Sequence, residues 1–119
     1  MEIIRDYEAL QQAIRSNQIT VVQFGSAKCA PCSALQNKLI GWNRTHPAVC
    51  HVYVSVDEQK RLSAQMEVFT VPAVFVYVQG RLTIRSSGWF SLEEIFDRIE
   101  QVEQLLASQP PEGGEFFRE

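Results

Sequence analysis

An α/β fold, a central mixed sheet flanked by helices, is what this sequence predicts, and three observations predict it. Two short runs, ITVVQF (residues 19–24) and AVFVYV (residues 73–78), are β-branched and almost wholly apolar, the pattern of strands covered on both faces. Segments with apolar residues at helical spacing lie before, between and after them. The second run ends at Gly80 and is followed by the alternating segment RLTIRS (residues 81–86), which reads as the return strand of an antiparallel hairpin.

Taken in order, Ile3 and Ile4 suit a short first strand. Tyr7, Leu10 and Ile14 share one helical face, with Asp6 placed to cap that helix. After the strand at 19–24, a helix is expected from Pro31, with Cys32, Leu35, Leu39 and Trp42 on one stripe and Pro47 marking the exit. VCHVYVSV (residues 49–56) alternates as a strand, and residues 58–66 form a shorter, more polar helix. The hairpin of 73–78 and 81–86 comes next. Ser91 and Glu94 make a capping box for a last helix that buries Leu92, Ile95, Phe96, Ile99, Val102 and Leu106. One domain is expected over residues 1–107. Residues 108–119, rich in Pro, Gly and Glu, read as a disordered tail.

Composition excludes several classes of function. Hydrophobic residues at 45% and charged residues at 21% describe a soluble globular chain. With 11 basic against 14 acidic residues, nucleic acid and anionic membrane surfaces are not expected partners. No apolar run reaches the ~20 residues that span a bilayer, and charges scattered through the first residues argue against a signal peptide. A cytoplasmic monomer is the expectation. Three cysteines leave at least one without a partner in the chain, which speaks against a disulfide-stapled scaffold.

The chemistry concentrates at KCAPCS. Cys29 follows a buried strand and opens a helix, where unpaired N–H groups and the positive dipole end favour a thiolate. Lys28 adds positive charge, and Pro31 is at ease in a first helical turn. Cys32 lies one turn on, roughly 5–6 Å away and within reach of a disulfide. Cys29 is therefore read as the exposed attacking sulfur, expected to alkylate first, and Cys32 as the shielded partner. Two cysteines spaced this way beside a βαβ pattern signal redox chemistry. The competing readings are a zinc site and two unrelated buried cysteines. Zinc would need Cys50 and His51 as further ligands, but neighbours on a strand point to opposite faces. Cys50 reads as a small buried hydrophobe, and His46 as a solvated residue of the helix exit.

With VVQFGSAKCAPC, VDEQKRLSAQMEVFTVPAVFVYVQG and SSGWFSLEE in register, the chain resembles the thioredoxin family over about residues 1–107. The family's C-G-P-C motif stands here as C-A-P-C. Its cis-proline matches Pro72, and its glycine before the last helix matches Gly88. The resemblance implies a thioredoxin-like fold and a protein-disulfide oxidoreductase serving cell redox homeostasis and electron transport. By resemblance Cys29 attacks a substrate disulfide, Cys32 resolves the mixed disulfide, and the Val71–Pro72 bond is cis. A substrate groove is expected from Ala30, Pro31, Val71, Pro72, Gly88 and Trp89, with Trp89 either a platform for substrate or packed over the helix start. The implied partners are disulfide-containing proteins and a thioredoxin reductase-like electron donor. No cofactor and no metal are implied.

Four departures accompany the match. Gln23 stands where the family has a buried aspartate, Tyr53 where it has a lysine, Lys28 where it has a tryptophan and Ser33 where it has a second lysine. Gln23 cannot titrate, so the resolving thiol's proton needs another route. The absent negative charge, with Lys28 and the helix terminus, predicts a more oxidising pair than in thioredoxin. The alternative functions are a thioredoxin-fold binding module with weak or no redox activity and a thiol carrier dedicated to one partner enzyme, such as a peroxidase.

Overall fold

The computed structural model describes residues 1–108; the tail expected to be disordered lies, apart from Ser108, outside the described residues. Its elements are β1 (Glu2–Ile3), α1 (Tyr7–Ser16), β2 (Ile19–Gly25), α2 (Ala30–Arg44), β3 (Cys50–Ser55), α3 (Lys60–Gln65), β4 (Ala73–Val78), β5 (Arg81–Ser87) and α4 (Leu92–Ala107). The caps are the ones the sequence marks. The Ala9 N–H donates to Asp6 Oδ1 at 2.7 Å, and the Glu94 N–H donates to Ser91 Oγ at 3.2 Å. Tyr7 is exposed; the buried stripe of α1 is Leu10, Ala13 and Ile14, which begins one turn into the helix.

The sheet is mixed, in the order β1-β3-β2-β4-β5. β3 runs parallel to both β1 and β2, and β4 runs antiparallel to both β2 and β5. Every residue of β2 is buried, as its unbroken apolar run requires of the central strand. The β4–β5 turn has Gln79 and Gly80 both at positive φ, 51° and 83°, which suits a two-residue hairpin loop.

Strand alternation divides the core into two layers. Val22, Phe24, Val52, Val54 and Phe75 face α1 and α3, meeting Leu10, Ile14 and Leu62. Val21, Val49, Val74, Val76 and Ile84 face α2 and α4, meeting Leu39, Leu92, Ile95 and Ile99. The result is helices on both sides of one sheet, the architecture expected of apolar strands that need cover on two faces.

His46 is a correction to the sequence reading. It is not merely solvated: its ring stacks on Trp42 with centroids 4.0 Å apart, and its Nε2 lies 3.2 Å from Glu100. Trp42 in turn stacks on Phe96 at 4.5 Å and donates Nε1–H to Glu100 at 3.0 Å. The cluster ties the end of α2 to α4. His46 is far in sequence from Phe96 and Glu100, which share α4, and neither helix's own periodicity reveals the contact.

Candidate redox site

The register of the sheet brings three loops to one edge. β2 delivers the chain to residues 26–29 at its carboxyl end. Because β4 is antiparallel, its first residue Ala73 pairs with Phe24, so Pro72 arrives at the same end. Ala73 also pairs with Ser87 of β5, which brings Gly88 alongside, and the Gly88 N–H donates to the Pro72 carbonyl at 3.0 Å. The Val71–Pro72 bond is cis, as the family resemblance implies, and Gly88 has φ 74°.

Cys29 is the N-cap of α2 and is half-buried, while Cys32 is 2% exposed. The two are joined as a disulfide with a Cα–Cα distance of 5.2 Å. The Cys32 N–H, which donates to the Cys29 carbonyl at 3.1 Å, is shared with Cys29 Sγ at 3.2 Å, so a donor of the first helical turn already faces the outer sulfur. Lys28 is exposed, and its N–H donates to Ser26 Oγ at 3.2 Å; the Ser26 hydroxyl donates to Asp57 at 2.6 Å. That pair anchors the loop entering the motif across a separation of 31 residues, a contact with no signal in the local sequence.

Gln23 is completely buried beneath the motif, and its Nε2 donates to the Cys32 carbonyl at 3.1 Å. Its register partner on β3 is Tyr53. A Cβ on Gly25 would lie 3.1 Å from Tyr53 Oη and 3.2 Å from Cys32 Cβ. The bare glycine therefore lets the phenol pack close to the inner cysteine. Burial, with the Asp57 and Glu58 carboxylates, pushes the Tyr53 hydroxyl further up, so it stays a neutral donor.

Of the expected groove residues, Pro31, Val71, Pro72, Gly88 and Trp89 line one cleft of about 540 Å³, and Ala30 lies exposed outside it. The cleft also takes in Leu35, Lys38, Thr70 and Phe90, which the motif-centred sequence reading did not single out. Leu35 was legible only as part of the helix stripe. Trp89 does not pack over the helix start: it is fully exposed, at 101% of its reference area. Phe69, next to the cis-proline loop, is 82% exposed.

The remaining polar candidates stand apart. Cys50 is a half-buried free thiol packed against the α1/α3 layer, and burial pushes its pKa up, which keeps it protonated and unreactive. His51 is 4% exposed with neither ring nitrogen hydrogen-bonded, and burial lowers its pKa to about 4. Among the described residues no three His, Cys, Asp or Glu side chains gather as a metal would require.

Comparison with known proteins agrees with this geometry. The thioredoxin family model matches residues 3–101. Thioredoxin of Echinococcus granulosus is 29% identical over 75 residues, which is 63% of this chain and 70% of that protein. Thioredoxin-2 of Pyricularia oryzae is 23% identical over 101 residues, 85% of this chain but 48% of the fungal protein, so the chain spans about half the length of that relative. The crystal structure of Fasciola hepatica thioredoxin superposes with a TM-score of 0.77 at 22% identity, covering 85% of this chain and 98% of the other.

Proposed function

The chain belongs to the thioredoxin family of thiol–disulfide oxidoreductases, and on that premise we propose that it reduces disulfides of partner proteins through Cys29 and Cys32. One observation carries the reading. A half-exposed cysteine caps a helix at the end of the sheet where the cis-proline arrives, while its disulfide partner is shielded from solvent.

In the reduced protein, the Cys29 thiolate attacks one sulfur of a substrate disulfide. The other substrate sulfur leaves as a thiolate and takes a proton from solvent. Cys32 then gives up its proton to solvent and attacks Cys29 Sγ, the substrate's first sulfur departs as a thiolate that takes a proton in turn, and the Cys29–Cys32 disulfide remains. The attacking thiolate is favoured by the helix-terminal donors, with Lys28 adding positive charge. An extended substrate segment lies along Pro31, Val71, Pro72 and Gly88, with backbone groups near Val71 pairing to it as to a sheet edge. Trp89 and the exposed Ala30 flank that segment. Two electrons per cycle return from a dithiol donor, a thioredoxin reductase-like protein.

The working unit is residues 1–107, acting as a monomer in the cytoplasm. The reducing compartment is supported by Cys50, an unpaired thiol in the same chain. No described helix is long and apolar enough to cross a bilayer.

Insulin-disulfide reduction with and without a reductase tests the activity. Turnover is expected from the native chain, with at least ~1,000-fold loss on Cys29→Ser, which removes the nucleophile. No turnover under either condition would favour the binding module.

A further inference from the structure

One buried polar atom without a partner belongs to a side chain that is itself bonded to the backbone of the inner cysteine. Gln23 is completely buried. Its Nε2 donates to the Cys32 carbonyl, while its Oε1 is shielded from solvent and accepts nothing. The amide's orientation follows from chemistry: a carbonyl can only accept, so the group facing Cys32 O is the NH2. The orphan is then the oxygen, and a buried acceptor without a donor is disfavoured.

In the disulfide neither sulfur carries hydrogen. Reduction by two glutathione thiols breaks the S–S bond and yields one glutathione disulfide. Two electrons and two protons pass to the pair. When Cys29 releases its proton to solvent as a thiolate, the other stays on Cys32 as S–H. A new donor thus arises on a residue 2% exposed to water, whose backbone is already held by the same glutamine side chain.

We propose that Gln23 is a positioning residue whose Oε1 accepts the Cys32 S–H hydrogen bond in the reduced protein and goes unpaired in the disulfide. The inference rests on the redox-pair reading above. Its consequence is a reduced state favoured over the disulfide, which makes the pair a stronger oxidant. A neutral, hydrogen-bonded Cys32 also attacks slowly, because the thiolate is the nucleophile, so mixed disulfides with substrates persist. Tyr53 does not fill the role in the disulfide form, where Gln23 Oε1 has no partner despite the phenol's position on the neighbouring strand.

The test is equilibration of the native chain and Gln23→Leu with glutathione at several thiol-to-disulfide ratios. It needs no protein substrate, so it stands or falls separately from the insulin assay. Leucine removes both the acceptor for the thiol and the orphan in the disulfide. The equilibrium should move about three- to tenfold toward the disulfide, a potential about 15–30 mV lower. An equilibrium within twofold of native overturns the proposal. If Gln23→Leu does not fold, the reduced Cys29→Ser, Cys50→Ser chain isolates Cys32, and its S–H stretch is read by Raman scattering. A stretch lowered from that of an unbonded thiol in an apolar solvent supports the hydrogen bond; an unbonded frequency overturns it.

Discussion

Trp42 and Trp89, the chain's two tryptophans, lie at opposite extremes of engagement. Trp42 sits near the end of α2 with an aromatic ring on each side and its N–H bonded to Glu100. Trp89 stands fully in water at the groove beside the helix's other end. An indole is a large apolar body with one donor, and stability is gained when both are satisfied. Trp42 satisfies both within the chain; Trp89 satisfies neither. The two histidines divide differently: His46 is partly exposed and well partnered, while His51 is buried with no partner. Burial alone therefore does not say what a side chain contributes; what meets its polar atoms does.

The comparison breaks most visibly at Trp42. Trp42→Ala should cost about 3–5 kcal/mol, read as a lower urea midpoint at unchanged slope. A loss below about 1 kcal/mol would mean that the aromatic stack adds little.

Next in size is the pH dependence set by His51. Its pKa is about 4 in the folded chain against 6.5 unperturbed, so between those values the unfolded chain binds the extra proton. The His51 contribution is whole above pH 6.5 and is lost as pH falls to about 4, a total of about 3 kcal/mol. Urea unfolding across that range should show the slope, and His51→Leu should remove its share.

Trp89→Ala is the mirror of Trp42→Ala. Stability should stay within about 0.5 kcal/mol, while exchange with protein disulfides slows about tenfold. Unchanged exchange with a small disulfide such as oxidised glutathione would separate substrate docking from chemistry. An unchanged rate with proteins as well would end the platform role.

The smallest effects belong to two glycines at positive φ. Gly80→Ala, at the far end of the hairpin, should cost about 1 kcal/mol and leave exchange alone. Gly88→Ala should cost a similar amount and also slow exchange, because Gly88 holds the Pro72 carbonyl. Equal effects of the two on exchange would show that the groove tolerates movement of that loop.

Much of this protein was legible residue by residue. Asp6 and Ser91 cap the helices they precede, Gly80 turns the hairpin, and the run at 73–78 is buried almost throughout because its pattern leaves no face for water. Cys29 and Cys32 were legible as a pair within disulfide reach from one helical turn of spacing, and as a redox pair from the strand before them and the helix they open. These are local properties: a dihedral preference, a period or a cap involves only a few consecutive residues. The groove was legible only through resemblance, and in part. General strand rules place sites at carboxyl ends, yet Pro72 reaches the site from the amino end of β4, because that strand runs antiparallel to β2. The exposure of Trp89, the His46–Trp42–Phe96 stack and the Ser26–Asp57 bond were not legible at all. By itself the sequence determined the elements, their order, the apolar faces and the cysteine pair. Only the tertiary structure decided which loops meet, which tryptophan is sheltered and which atom of Gln23 goes unpaired. The reason is physical: those outcomes depend on register and on partners dozens of residues away, and a side chain's own chemistry does not say which neighbours the sheet will bring to it.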